Sequence, residues 1–524
     1  MGAASDAPAW LAEADRLHYE KQFGAAAEHY REALARDASL FDAWYGLGFA
    51  QCAAGEYGEA ARGLREALAL QPDATRLRVN LAESLFALGR VSEAVREYER
   101  AIREGDRPTR EMALANLACI APGDPAMDNQ AILHARRRWA EAVSPAPSRP
   151  DWRPGERLRI GYLSSFFGAR NWMKMFMGVI NAHDRERFEV HLISNGPVPS
   201  AEAGYRDHPD DRIWDVDGVS NDQLAGHIAD ARLDILIDLN GYSDLARMPL
   251  LSHRAAPVQL GWGNMYATTG FAAVDCVVGD PWTIPPDEER FCVERVRRVP
   301  LTYLAFGVFY PVPDVSPSPW SRAGHVTFGS LMSAYKITDP VVASWCRILL
   351  GVPGSRLLLR NRALSQASNR ADILARFAAN GIDAARLSLE GGGEHFDFLR
   401  TYDRIDVALD AFPYNGGTST AEAIWQGVPL LTFNGDRWAS RTSRSILIAA
   451  GLGDWVAADQ QGFEAMAIRL ALAPDGLLAI RTGLRKKVAA SPVCDTDGLC
   501  RALEAIYREE VAGLGDNGGR SEGR

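Results

Sequence analysis

A 34-residue period in the first quarter of the chain constrains its fold more than any other feature. With Trp44 at position 4 of the frame, Leu47, Gly48, Gly55, Tyr57, Ala60, Leu64, Ala67 and Pro72 fall at positions 7, 8, 15, 17, 20, 24, 27 and 32. One period earlier the same frame holds Trp10, Ala14, Phe23, Ala26, Tyr30 and Ala33; one period later it holds Leu81, Ala82, Gly89, Ala94, Tyr98 and Ala101. A looser fourth unit begins near Arg110, where Asn116-Leu117-Ala118 echoes Asn80-Leu81-Ala82. Small residues at fixed offsets let two antiparallel helices touch, and large ones fill the gaps between them. A unit this short cannot bury its apolar side alone, so the units must stack into a curved array.

This is the tetratricopeptide pattern, and it predicts a helical solenoid over residues 1–143, ending in a helical stretch at 125–143. Such arrays hold a peptide or protein on their concave side; a stabilising cap or a dimer surface is the plainer use. Prolines at 145, 147, 150 and 154 then bar helix and central strand, which makes 144–156 a connector. From 157 the period changes. Apolar β-rich runs (158–163, 190–193, 234–239, 258–260, 276–278) alternate with helix-like stretches, and a second series follows (326–328, 356–359, 387–389, 407–409, 430–433). Two successive βα series predict two Rossmann-like domains, 157–310 and 324–496, joined by a stretch with four prolines. A helix at about 497–512 and a glycine-rich, disordered tail make up 497–524. The overall class is α plus α/β, and ligands in such folds bind at the carboxyl ends of the strands, here the cleft between two domains.

Composition narrows the function. The chain has 524 residues and a formal charge of -10, which argues against a general nucleic-acid binder. No run of 18 apolar residues spans a membrane, and the start MGAASDAPAW lacks a secretory pattern. Seven scattered cysteines without a C-x-x-C fit free thiols, and the expected location is the cytoplasm. Only five basic residues are Lys, which singles out Lys174 and Lys336 among 57 Lys+Arg.

The stretch from Val407 to Pro429 carries the most chemistry. A strand ends at Asp410, and a turn containing Pro413 delivers Asn415, Gly416, Gly417, Thr418 and Ser419 to the start of a helix. Free backbone N–H groups and the positive helix end suit a diphosphate. Glu422, one turn into that helix, can accept ribose hydroxyl protons. A simple N-capped βα turn is the competing reading, because Ser and Thr favour that position.

This stretch resembles the donor-binding motif of the tetratricopeptide O-linked N-acetylglucosamine transferase and SPINDLY family. Matching segments are Arg159–Ser165, Asp234–Tyr242, Ala256–Gln259, Tyr335-Lys336-Ile337 and Asp436–Ser443, with the repeats in the expected place before them. The resemblance implies a two-Rossmann, inverting, metal-independent glycosyltransferase that modifies Ser or Thr of proteins. It puts Lys336 against the diphosphate of a nucleotide sugar, where a compact ammonium meets the charge that grows on the leaving group. No cofactor is implied beyond that donor, UDP-N-acetylglucosamine or another activated sugar. The implied partner is a polypeptide held by the repeats, with a bacterial surface protein such as flagellin as an example.

Three places depart from the family pattern. Phe166-Phe167-Gly168-Ala169-Arg170 replaces Asp-Phe-x-x-His, Gly261–Gly270 is altered, and Gly417 stands where the family has histidine. The changed loops point to donors such as GDP-fucose or a nonulosonic acid nucleotide. His395, just before the motif strand, is either a base-stacking residue or a structural histidine. The rival function is a non-catalytic adaptor in which the repeats bind a client and the transferase fold is degenerate.

Overall fold

The computed structural model describes residues 6–143, 152 and 155–518. Eight helices form the array: α1 (Ala7–Tyr19), α2 (Phe23–Arg36), α3 (Phe41–Ala53), α4 (Tyr57–Leu70), α5 (Thr75–Ala87), α6 (Val91–Glu104), α7 (Arg107–Ile120) and α8 (Asn129–Val143). The small frame residues do what the spacing requires. Ala26, Ala60 and Ala94 are fully buried, as are Ala33, Ala67 and Ala101. A Cβ added at Gly48 would lie 2.7 Å from Leu64 Cγ, so α3 and α4 touch only because that position has no side chain. The fourth unit begins at Arg107 rather than Arg110, because Asp106 accepts from Thr109 N and caps α7.

The array is not a separable module. Arg136 on α8 is 1% exposed and donates to the carbonyls of Ala118, Met265 and Thr268, joining α7, α8 and the following domain. Its guanidinium also lies 3.7 Å from the Tyr242 ring centre, and Trp139 packs on Tyr242 and Phe271. One apolar core therefore runs from the repeats into the first α/β domain. Most of the proline-rich connector expected at 144–156 lies outside the described residues.

Two all-parallel sheets follow. The first contains β1 (Leu158–Ser164), β2 (Phe188–Ser194), β3 (Arg212–Asp215), β4 (Ile235–Asp238), β5 (Val258–Trp262), β6 (Cys276–Gly279) and β7 (Arg295–Arg298), in spatial order β3-β2-β1-β4-β5-β6-β7. The second contains β8 (Thr327–Ser330), β9 (Arg356–Arg360), β10 (Leu387–Glu390), β11 (Val407–Leu409), β12 (Leu430–Phe433) and β13 (Val456–Ala457), in order β10-β9-β8-β11-β12-β13. Ten of these were legible as apolar runs. The three that were not are the sheet-edge strands β3 and β7, rich in Arg and Asp, and the two-residue β13. An edge strand need not be apolar on both faces, so β3 and β7 could take charged residues and show no apolar run, whereas the edge strand β10 kept Leu387 and Leu389. The strand order reverses between β1 and β4 and again between β8 and β11, the switch points where a doubly wound sheet opens a crevice.

The terminal helix, Thr496–Gly518, returns to the first sheet's domain. Tyr507 OH lies 3.0 Å from Tyr162 OH, and His183 Nδ1 lies 3.0 Å from Glu504 Oε1. It runs six residues past the expected end at 512, with Leu514 still packed against the core. Of the tail expected to be disordered, residues 519–524 lie outside the described residues. Among the described residues no helix is long and apolar enough to cross a membrane.

Candidate active site

The carboxyl ends of both sheets face one cleft of about 940 Å³. Its second wall is built at the switch point of the second sheet. After β8 a short 3-10 turn, Ala334–Lys336, carries Lys336; after β11 the chain turns into the helix Thr418–Trp425. Because β8 and β11 are neighbours, residues about 80 positions apart meet: Lys336 Nζ donates to the Asn415 carbonyl at 2.6 Å. The lysine also lies 4.2 Å from the Tyr414 ring centre. Burial pushes its ammonium down to about 7, with Asp410 opposing.

The turn itself is tightly specified. Gly416 N donates to Asp410 Oδ1 at 3.1 Å, and Thr432 Oγ1 donates to Asp410 Oδ2 at 2.7 Å. Asn415 is buried, its amide Nδ2 donating to the Ala411 carbonyl and its own N–H to the Ala439 carbonyl. A Cβ at Gly416 would come within 2.5 Å of Ser419 Oγ and 2.7 Å of Thr420 Oγ1, so a side chain there would force these hydroxyls to move. Gly417, Thr418 and Ser419 line the cleft, and no side chain caps the helix that starts there. The simple N-capped turn is therefore not what the structure contains: the leading N–H groups of this helix have no side-chain acceptor.

Glu422 also lines the cleft, and its Oε1 accepts from Lys174 Nζ of the first domain. Burial opposes the Lys174 charge, but the Glu422 carboxylate overrides it and holds the ammonium above its ordinary range. His395 completes this cluster, with Nε2 2.8 Å from Tyr310 OH and 3.8 Å from Glu422 Oε1. Burial and then Lys174 lower the His395 pKa, which favours the neutral ring. Lys174 was singled out by rarity alone; its tie to Glu422 crosses 248 residues and has no local signal. Tyr310 had none either, and Tyr266 was marked only as part of the altered segment Gly261–Gly270.

From the first domain the cleft receives the altered segments. Arg170 and Trp172 line it after β1, with Trp172 stacked on Phe166 at 4.2 Å. Asn264 and Tyr266 line it after β5, and Tyr266 packs on Tyr414 with ring centres 4.9 Å apart. Glu422 is the one carboxylate among the described residues lining this cleft. The described His/Cys/Glu atoms close enough to share a cation, on His183 and on Cys500 and Glu504 of the terminal helix, are buried between that helix and the first α/β domain and line no part of the cleft. The Asp-x-Asp triplets 215–217 and 495–497 also lie elsewhere.

The cleft opens into a groove of about 910 Å³ between the repeats and the second domain. Cys52, Asn80, Glu83 and Phe86 form its repeat side; Ser333, Tyr335, Asn361, Arg362 and Ser365 line both spaces.

Comparison with known proteins agrees with this architecture. The pattern described as "Glycosyl transferase family 41" matches residues 145–307 and 323–503, and a tetratricopeptide repeat pattern matches 53–117. Two proteins named probable UDP-N-acetylglucosamine–peptide N-acetylglucosaminyltransferase SPINDLY are similar. The one from Oryza sativa is 29% identical over 79% of this chain and 46% of its own length. The one from Arabidopsis thaliana is 31% identical over 68% of this chain and 39% of its own. The chain thus spans less than half the length of these curated relatives. A solved structure of a Thermobaculum terrenum O-GlcNAc transferase mutant superposes with a TM-score of 0.81 at 29% identity, covering 98% of each chain. With its family pattern matched across both α/β domains, the chain belongs to glycosyl transferase family 41.

Proposed function

We propose that this protein transfers a sugar from a nucleotide-sugar donor to a Ser or Thr hydroxyl of a polypeptide, by inversion and without a metal. The observation that carries the reading is the meeting of the Lys336 ammonium with an uncapped helix start at the switch point of the second sheet. Both are donors of positive character, and a diphosphate between them would be held while its negative charge grows on departure. Glu422 would accept from the ribose. Family membership and the names of the relatives support the transferase activity and the protein acceptor.

Inversion and metal independence draw on the cleft's side chains. A double displacement at an anomeric carbon ordinarily uses a free carboxylate as nucleophile, and a divalent ion ordinarily calls on carboxylate oxygens. The one carboxylate among the described cleft residues, Glu422, is committed to Lys174. Direct attack by the acceptor hydroxyl requires neither, and positioning supplies much of the rate. The groove beside the repeats gives an extended segment a route to the cleft. Flagellin remains an example of such an acceptor, and the altered first-domain loops leave UDP-N-acetylglucosamine, GDP-fucose and a nonulosonic acid nucleotide as donors to compare. A non-catalytic adaptor would have little reason to keep a buried lysine aimed at an uncapped helix start, since sites freed from catalysis lose their perturbed groups.

The test is intact-mass analysis of proteins that co-purify with the full chain, after incubation with each of the three donors and with or without a chelator. A sugar-sized mass gain on a Ser or Thr, unaffected by the chelator, is the expected result. No gain with any donor, together with no nucleotide binding by calorimetry, would establish the adaptor instead.

A further inference from the structure

We propose that the repeat array completes the donor site: the turn between α5 and α6, acting through Arg376 and Tyr335, fixes the position of Lys336. This rests on the reading that Lys336 meets the donor diphosphate, and it gives the repeats a task besides holding an acceptor.

The 3-10 turn Ala334–Lys336 lies between strand and helix and closes on itself with only two backbone hydrogen bonds, Lys336 N to Ser333 O and Ile337 N to Ala334 O. Its outer side rests on the repeats. Gly89 approaches so closely that a Cβ there would lie 2.4 Å from Ile337 O and 2.9 Å from Ala334 O. Phe86 stacks on Tyr335 with ring centres 4.8 Å apart and planes at 23°. Tyr335 packs in turn on Tyr414, the ring over which the Lys336 ammonium sits.

Arg376, 8% exposed, ties the three parts together. Its Nη1 donates to Leu88 O in the repeat turn at 2.9 Å. Its Nη2 donates to Ile337 O, next to the lysine, at 2.7 Å, and its Nε to Asp339 Oδ1 at 2.7 Å. The planar fork of a guanidinium can hold three acceptors in fixed relation, which a lysine cannot. Around it, Arg90 pairs with Asp372 at 2.6 Å and Gly58 N donates to Asn369 Oδ1 at 3.0 Å, so the repeats are fastened to the same helix that carries Arg376. A displacement of about 1 Å in a catalytic group costs on the order of 100-fold in rate, so this fastening matters chemically. The groove shares Phe86, Ser333 and Tyr335 as its wall, so an acceptor entering it presses on the turn that carries the lysine.

The experiment compares UDP with UMP and GDP with GMP by calorimetry on the full chain, its Lys336→Ala variant, and two positioning variants, Arg376→Met and Phe86→Ala. The readout is the preference for diphosphate over monophosphate, which loss of general packing does not move. Lys336→Ala should lower that preference about tenfold or more. Arg376→Met and Phe86→Ala should lower it in the same direction, about threefold or more, with monophosphate affinity unchanged. If Arg376→Met fails to fold, the half-buried ring of Phe86 decides. Folded positioning variants that keep the wild-type preference while Lys336→Ala loses it would overturn this inference alone. A wild type without the preference, or a Lys336→Ala variant that retains it, would overturn the underlying reading.

Discussion

Binding of a nucleoside diphosphate should draw a proton onto Lys336, and the size of the uptake follows from the geometry. Tyr335, Tyr414 and the Asn415 turn enclose the ammonium, and burial lowers its pKa to about 7, with Asp410 the charged group that opposes. At about pH 8 such a group is protonated in roughly one molecule in ten. A diphosphate beside it favours the charged form, and a return toward the ordinary lysine value of about 10 would make protonation nearly complete. The expected uptake is therefore about 0.9 proton per nucleotide at pH 8 and falls to about 0.1 near pH 6. The higher pH is the cleaner condition, because a terminal phosphate with a pKa near 6 is already ionised there. Calorimetry in buffers of different ionisation heat reads the number directly as a slope. The Lys336→Ala variant should show no slope at pH 8, and its single-turnover transfer at saturating donor should fall about 100- to 1,000-fold. A wild-type slope near zero, or one that survives in Lys336→Ala, would refute the assignment of the proton and the role built on it.

Two further outcomes follow from other contacts. Glu422→Gln should weaken nucleotide affinity roughly 10- to 150-fold and erase discrimination against the 2′-deoxynucleotide, as calorimetry can show; because it also leaves Lys174 buried without its counterion, the thermal midpoint should drop, and Lys174→Met in the same chain should recover part of that drop. Deleting residues 1–143 should abolish nucleotide binding together with client modification, since it uncovers Tyr242 and Phe271 and leaves the Met265 and Thr268 carbonyls without Arg136; a folded truncated chain that binds nucleotide as the full chain does would refute the shared core.

That last expectation reverses what the sequence suggests. A periodic array, a proline-rich stretch and a new period read as independent parts, because periodicity reports how each segment buries its own face. It does not report that α8 sends Arg136 into its neighbour or that the α5–α6 turn supports the Lys336 turn. The sequence by itself determined the helix pairs, since Ala, Gly and aromatic residues at fixed offsets permit only one close packing. It determined ten strands from short apolar runs, nine of which run through the buried interior of a sheet, while β10 lies half-buried at an edge. It also made the turn at 415–420 visible, because two glycines and three hydroxyls at a strand end fit a helix start. Only the tertiary structure decided which distant residues meet. Lys336 reaches Asn415 because β8 and β11 are neighbours across a crossover, and Lys174 reaches Glu422 because two domains close on one cleft. Those pairings depend on strand order and domain docking, which arise from non-local contacts and leave no period in the chain.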